Sequence, residues 1–265
     1  MPDVDPEAKR HYYLAGEGPS PFSFPGQRAF ASRRERRTNP MPEVNPEAEK
    51  HYHLGVAFSE AGQQAEALKE FREALSLAPD LPEAHVSLGV VLANQGKLPE
   101  AEAEFREALR LAPDLPEGLY NLGNTLEQQG RYAEAEGPLR KALAHVPDFV
   151  WGHNTLGLVL RGLGRLKEAV AEFQAAIRLD PRLPDLHFNL GITVLMQSNL
   201  GMAEDAYREV LRLAPDHDGA LANLATLLDM TGRRKEAREF WLAVEKLAKN
   251  RDWIERIKKR LAEPD

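Results

Sequence analysis

The chain has 265 residues, of which 43% are hydrophobic, a formal net charge of −7 and no cysteine. The acidic balance argues against a protein that works mainly by neutralising nucleic-acid phosphates, and the missing cysteine excludes disulfides and thiolate metal sites. No stretch of about 18 uninterrupted apolar residues occurs, and the acidic start lacks the pattern of a signal peptide. We therefore expect a soluble cytoplasmic protein without a membrane span.

The first 40 residues do not share the periodic pattern of the rest of the chain. Residues 16–40 mix glycine, proline, serine and arginine without an apolar face, a composition that is typical of disorder. Residues 1–15 repeat residues 41–55 at an offset of 40, with Met-Pro, Val, Pro-Glu-Ala and His-Tyr at matching positions. We expect residues 1–40 to form a disordered extension that carries a partial duplicate of the start of the first repeat.

Residues 41–251 carry a repeat with a period of 34 residues. A Leu-Gly pair, a second glycine, an alanine, a bulky residue and a proline recur at this interval. Apolar residues recur at helical spacing on both sides of the second glycine, so each unit is predicted to form two helices joined by a turn. The alanine column shows the period without interruption: it consists of Ala67, Ala101, Ala135, Ala169, Ala203 and Ala237. The predicted repeats are 48–81, 82–115, 116–149, 150–183, 184–217 and 218–251.

The columns of small residues predict how the helices pack. A glycine on the first helix and an alanine on the second let the two axes approach closely, while the bulky column packs against the neighbouring unit. One helix pair cannot bury its own apolar face, so the six pairs are predicted to stack into a solenoid. In residues 252–265, apolar side chains at helical spacing, beginning with Trp253 and ending with Leu261, predict a capping helix followed by a tail.

Two repeats depart from the pattern. Gly137 and Pro138 fall inside the second helix of the third repeat, where both residues are unfavourable, so we expect a kink or a late start of that helix. In the fifth repeat, Ser198 replaces the glycine of the turn, and the first helix contains an apolar run that ends at Met196. This run is the most apolar part of the face formed by the first helices.

The repeated residues resemble the tetratricopeptide repeat (TPR). The resemblance implies an all-α fold, a right-handed superhelix of six helix-turn-helix repeats whose first helices line a concave groove and whose second helices form the convex back. Members of this family mostly bind other proteins. Asn121, Asn189 and Asn223 share one repeat position, which Thr155 interrupts, and this row is similar to the asparagines with which the repeats of the O-linked N-acetylglucosamine transferase hold peptide main chain.

The groove-facing positions are the candidate partner-binding residues. A side-chain amide both donates and accepts hydrogen bonds, so a row of asparagines suits an extended peptide. The alternative is that these asparagines satisfy polar groups of neighbouring helices or face water. The predicted binding residues are Tyr52, Tyr120, Asn121, Asn124, Trp151, Thr155, Arg161, Phe188, Asn189 and Asn223.

Motifs for catalysis, cofactor binding and metal binding are missing from the sequence. The chain contains no phosphate-binding loop, no Gly-x-Ser-x-Gly elbow and no His-Glu-x-x-His pair, so we predict no catalytic, cofactor or metal-binding residues. Four histidines share one repeat position, but stacked units contact only their neighbours, so we interpret them as hydrogen-bonded packing residues. These are His51, His85, His153 and His187.

The sequence thus predicts a non-enzymatic scaffold or adaptor that binds a peptide segment or a helix of another protein in the concave groove, with no nucleic-acid or membrane partner. Two alternatives stay open. The chain could be the separately encoded substrate-recognition arm of an enzyme complex such as a glycosyltransferase, or a self-assembling repeat protein. The sequence leaves the oligomeric state open.

Overall fold

The computed structural model describes residues 45–248 and 251–262. The described residues form thirteen α-helices and no β-strand. They fall into two compact units, which we name the amino-terminal unit (residues 45–165) and the carboxy-terminal unit (residues 166–262) and describe separately. The predicted disorder of residues 1–40 lies outside the described residues.

The amino-terminal unit consists of seven helices. They are α1 (Pro46–Glu60), α2 (Gln64–Leu77), α3 (Pro82–Asn94), α4 (Leu98–Leu111), α5 (Pro116–Gln128), α6 (Tyr132–His145) and α7 (Val150–Gly162). Each helix packs against the next, and the first helices α1, α3, α5 and α7 also contact one another in order. They therefore form a continuous row, which we call the first-helix row of this unit. Three of the four begin with proline at the first helical position, where the missing N–H costs no hydrogen bond.

The carboxy-terminal unit consists of six helices. They are α8 (Leu166–Leu179), α9 (Pro184–Met196), α10 (Leu200–Leu213), α11 (Asp218–Met230), α12 (Arg234–Leu247) and α13 (Arg251–Ala262). Each of these helices also packs against the next. The helix α13 covers most of the stretch for which the sequence predicts a capping helix, and its Ile257 is buried in the hydrophobic core of this unit.

The glycine and alanine columns lie at the crossings of paired helices, as the sequence predicts. A Cβ atom added to Gly123 would lie 2.5 Å from Cγ of Leu139, and one added to Gly191 would lie 2.7 Å from the ring of Tyr207. Ala135, at the crossing that contains Gly123, is fully buried. Any larger side chain would therefore force the two helices apart at these points.

The turn of the fifth repeat keeps the backbone of the other turns despite its different sequence. Ser198 has a φ angle of 61°, close to the 72° of Gly130 at the equivalent position. The side chain of Asn199 then caps α10, because its Oδ1 accepts a hydrogen bond from the backbone N–H of Met202 at 3.2 Å. The substitution thus changes the residues of the turn and preserves the connection.

The sequence predicts a kink or a late start of the second helix in the third repeat, and the late start is wrong. The helix α6 runs from Tyr132 to His145 with Pro138 inside it, and its length of 14 residues equals that of α2 and α4. The side chains of Ala135 and Leu139 on either side of the proline are fully buried. We attribute the unbroken helix to this packing, which outweighs the local preference against proline.

Candidate functional site

The candidate asparagines of the amino-terminal unit are buried on the first-helix row. Asn121 uses its side chain within its own helix, because its Nδ2 donates to the backbone carbonyl of Glu117 at 2.9 Å. Thr155 on α7 is also buried, and its Oγ1 lies 3.5 Å from the hydroxyl of Tyr120 on α5. The structure therefore joins α5 and α7 through these side chains.

The candidate asparagines of the carboxy-terminal unit lie on α9 and α11. Asn223 is buried, and its Nδ2 lies 3.5 Å from the hydroxyl of Tyr207. Asn189 is half-buried, and its backbone carbonyl accepts a hydrogen bond from Oγ1 of Thr193 at 2.7 Å. Nδ2 of Asn223 thus has an intramolecular partner, like Nδ2 of Asn121 in the amino-terminal unit.

The candidate aromatic residues differ in accessibility. Tyr120 is buried with its ring edge-on to Phe149 at 4.8 Å, and burial raises the pKa of its phenol well above the ordinary value. Phe188 is buried against His217, with ring centroids 4.7 Å apart. Tyr52 and Trp151 are half-buried. The first two rings thus pack inside their units, and the last two reach the surface.

A second group of polar candidates lies nearer the ends of α5 and α7. Asn124 is buried, and burial raises the pKa of the nearby Glu127 carboxyl, although the positive charge of Arg161 partly opposes this increase. Glu127 and Arg161 therefore lie close enough to interact. The adjacent first helices α5 and α7 thus carry one polar area, which consists of Asn124, Glu127 and Arg161.

The repeated histidines are packing residues, as the sequence predicts. Nδ1 of His85 lies 2.7 Å from a carboxylate oxygen of Glu104, and Nε2 lies 2.9 Å from the carbonyl oxygen of Pro79. His51 makes the equivalent contact with the carboxylate of Glu70 at 2.6 Å. Among the described residues there is no group of three or more histidine, aspartate or glutamate side chains that could hold a metal ion.

Two exposed methionines lie outside the set of predicted binding residues, although the sequence places one of them at the end of an apolar run. Met196 at the end of α9 and Met230 at the end of α11 are 43% and 58% exposed. They occupy the same repeat position, 34 residues apart, so the period could have identified both. Within residues 45–248 and 251–262, no helix is long and apolar enough to cross a membrane.

Paired helices with a 34-residue period, glycine and alanine at their crossings and variable side chains on the first helices define a helical-repeat binding protein. Models of the tetratricopeptide repeat match residues 52–116, 94–151 and 219–243, and a further TPR repeat model matches residues 159–198. Together these matches cover more than half of the chain. The chain therefore belongs to the tetratricopeptide-repeat family, and the predicted all-α repeat fold is confirmed.

Several solved structures share this fold. MamA (residues 41 to the end) from Desulfovibrio magneticus RS-1 is 25% identical, with a TM-score of 0.60, over 64% of this chain and 96% of that chain. The pilF protein of Pseudomonas aeruginosa is 21% identical, with a TM-score of 0.71, over 82% and 99%. YrrB, described as a TPR protein with an unusual peptide-binding site, is 23% identical, with a TM-score of 0.58, over 72% and 95%.

The comparisons do not extend to a particular function. No curated protein matches the sequence. The structural similarities at 21% and 23% identity show the fold alone. The family assignment rests on the repeat models, and nothing in these matches points to the repeats of the O-linked N-acetylglucosamine transferase specifically.

Proposed function

We propose that the protein is a non-enzymatic scaffold that binds a peptide segment or a helix of another protein through its first helices. The fold supports this proposal, because the columns that hold the helix pairs together leave the remaining first-helix positions free to vary. YrrB shares the fold, and its description as a protein with a peptide-binding site adds support. The proposal assigns catalysis, if the partner is an enzyme, to the partner.

The observation that carries the proposal is the exposure of Met196 and Met230 at one repeat position of α9 and α11. Methionine side chains are flexible and polarisable, so they adapt to apolar surfaces of different shapes. Exposed apolar side chains that recur on the same face are typical of interaction surfaces. We therefore assign the first contact with an apolar ligand side chain to these two residues.

A peptide library displayed on phage and selected against the full chain tests this proposal. The affinity of the selected peptides should fall at least about tenfold in Met230→Asp, because the charge would have to be desolvated in the complex. Met202→Asp is the matched control, since Met202 is 37% exposed in the same unit but lies on the second helix α10. Equal losses in the two variants, or none in Met230→Asp, would overturn the assignment.

The row of asparagines is a separate part of the proposal, and the idea of an enzyme's substrate-recognition arm depends on it. A ligand main chain would have to replace the contacts that Asn121 makes with Glu117 and Asn223 with Tyr207. We propose that Asn121→Ala, Asn189→Ala and Asn223→Ala together weaken peptide binding while the helix content and the melting temperature change little. Unchanged affinity in this triple variant would remove the row from the site.

Self-association is the second candidate function, and one observation favours it. Leu54 on α1 is 40% exposed, whereas Leu88 at the same position of the next repeat is 4% exposed. A second copy of the chain could cover this surface. Sedimentation velocity over a dilution series should then show an oligomer that Leu54→Glu dissociates. A monomer at all concentrations would exclude this function.

A further inference from the structure

Two side-chain amide nitrogens on α5 are buried without a hydrogen-bond partner. Asn124 is 4% exposed, and neither its Nδ2 nor Nε2 of Gln128 has a partner in the structure. The two residues are four positions apart, so they lie on the same face of the helix, one turn from each other. We call Asn124 and Gln128 the α5 amide pair.

Unpartnered buried donors of this kind are rare, because the large majority of buried polar side-chain atoms in folded proteins form a hydrogen bond. Asn121, on the same helix, does have a partner, since its Nδ2 donates to the carbonyl of Glu117. Oγ1 of Thr125 and Oε2 of Glu117 are also buried without a partner on this helix, and the amide pair adds two donors, one turn apart, that the fold itself does not use. An acceptor supplied by a ligand would satisfy both, since a carbonyl oxygen has two lone pairs.

The charges around the pair disfavour a charged ligand. Burial raises the pKa of the Glu127 carboxyl, and the positive charge of Arg161 on α7 acts against this increase, so these two groups interact. Glu117 adds a further acidic side chain at the beginning of α5, and neither α5 nor α7 contains a lysine. A ligand carboxylate would meet this acidic excess, and a ligand ammonium group would meet two unpaired N–H donors.

The depth of the amide pair below the surface favours one of two possible ligand groups, a side-chain carboxamide rather than a main-chain carbonyl. The donor atoms of Asn124 and Gln128 are inaccessible to solvent, so a main chain that lies across the helices would remain above them. Gln128 and Arg161 are only half-buried, so a long ligand side chain that displaces them would be needed to deliver an end group below the surface. Its carbonyl oxygen would accept from the amide pair, and its NH₂ group would donate to the carboxyl of Glu127.

We propose that the α5 amide pair, together with Glu127, is a subsite for the side-chain carboxamide of a glutamine or asparagine in a bound peptide. The proposal rests on the proposed function, because it requires a peptide ligand. It adds the chemical class of one ligand side chain and assigns its recognition to the amino-terminal unit. A site built to bond a polar group rejects analogues that lack it, so the subsite should select for glutamine.

Titration of the full ¹⁵N-labelled chain with three blocked peptides tests the subsite. Acetyl-Gly-Gln-Gly-amide should shift the side-chain NH₂ signals of Asn124 and Gln128 and bind at least about tenfold more tightly than the other two peptides. Acetyl-Gly-Gly-Gly-amide offers main-chain carbonyls only, and acetyl-Gly-Glu-Gly-amide offers a carboxylate of similar shape. Equal binding of the glycine peptide, or tighter binding of the glutamate peptide, would overturn the proposal.

Variants separate the subsite from a general loss of structure. Asn124→Leu should remove the preference for glutamine, and Gln129→Met should keep it, because Oε1 of Gln129 already accepts a hydrogen bond from Nη1 of Arg131. If Asn124→Leu does not fold, Gln128→Met replaces it and should also remove the preference. The peptides selected for binding at Met230 should bind these variants normally, so failure of the subsite and failure of the proposed function give different results.

Discussion

Nη1 of Arg131 donates hydrogen bonds to both carboxylate oxygens of Glu102, at 2.8 and 2.7 Å, and so joins two successive repeats. The same contact, with the same separation of 29 residues, joins two other pairs of glutamate and arginine. These are Glu136 with Arg165 in the amino-terminal unit and Glu204 with Arg233 in the carboxy-terminal unit. The equivalent positions one repeat after Glu136 and Arg165 hold Val170 and Asn199, which cannot form an ion pair.

We predict that Val170→Glu and Asn199→Arg together restore this ion pair in the carboxy-terminal unit. The coupling energy from a double-mutant cycle should be favourable by about 0.5–1 kcal/mol at low salt and smaller at high salt. The double variant itself need not be more stable, because Asn199→Arg removes the cap on α10, which costs about 1 kcal/mol. Urea unfolding of the four proteins measures the coupling, and a value of zero at low salt would contradict the prediction.

Two helical glycines should respond in opposite ways to alanine. In Gly123→Ala the new Cβ would lie 2.5 Å from Leu139, so we expect a loss of about 1–3 kcal/mol in the free energy of unfolding. In Gly201→Ala, in the first turn of α10, the new Cβ meets no neighbouring side chain within 4 Å, and alanine should stabilise the helix by about 0.5–1 kcal/mol. Thermal and urea unfolding measure both effects, and a loss of stability in Gly201→Ala would contradict the placement of this residue inside α10.

The contrast between these glycines explains how much of the fold the sequence could predict. At a helix crossing the steric demand is strict, so Gly123 and Ala135 recur in every repeat as glycine or alanine and reveal the helix pairs. Pro138 does not delay the start of α6, because the cost of a single residue is small compared with the packing of the whole helix.

The candidate site was less predictable than the fold. The repeat position places Asn121 on a first helix, but whether its amide faces a ligand or bonds to the carbonyl of Glu117 depends on its side-chain rotamer. The sequence could have revealed Met230, since it lies 34 residues after Met196, but its exposure depends on the packing around the end of α11. The hydrogen-bond partner of a polar side chain and the exposure of an apolar one thus depend on the three-dimensional structure.

The stability of the amino-terminal unit should depend on the protonation of His85. Burial lowers the pKa of this imidazole, but hydrogen bonds to Glu104 and Pro79 and the charges of Glu104 and Glu107 together raise it above its ordinary value. The protonated ring can donate to both partners, so its contribution to stability is full below about pH 6.5 and is lost as the pH rises through the higher pKa of the folded state.

We therefore predict that the difference in unfolding free energy between the natural chain and His85→Gln is larger at about pH 6 than at about pH 8. Glu104→Gln is the control for the partner, because it removes the charge that favours the imidazolium. It should reduce the same pH dependence while the histidine remains. If the difference between the natural chain and His85→Gln stays constant over this range, protonation of His85 does not contribute to folding.

The carboxylate of Asp229 links α13 to the rest of the carboxy-terminal unit. Its Oδ2 accepts a hydrogen bond from Nε1 of Trp241 at 2.8 Å and another from Nε of Arg260 at 2.7 Å. The guanidinium of Arg260 also lies 5.7 Å from the centre of the Trp241 ring, and this ring packs edge-on against Trp253. One acidic side chain on α11 thus organises contacts with α12 and α13.

Asp229→Ala and Arg260→Ala should therefore differ in how far their effects spread. Loss of the carboxylate leaves the buried Nε1 of Trp241 without its acceptor, so Asp229→Ala should cost about 1–3 kcal/mol and speed amide exchange in both α12 and α13. Arg260→Ala leaves the bond between Trp241 and Asp229 intact and should speed exchange in α13 alone. Hydrogen exchange measured by NMR distinguishes these patterns. Unchanged exchange in α13 of Arg260→Ala would show that apolar packing, including that of Ile257, holds the helix without the ion pair.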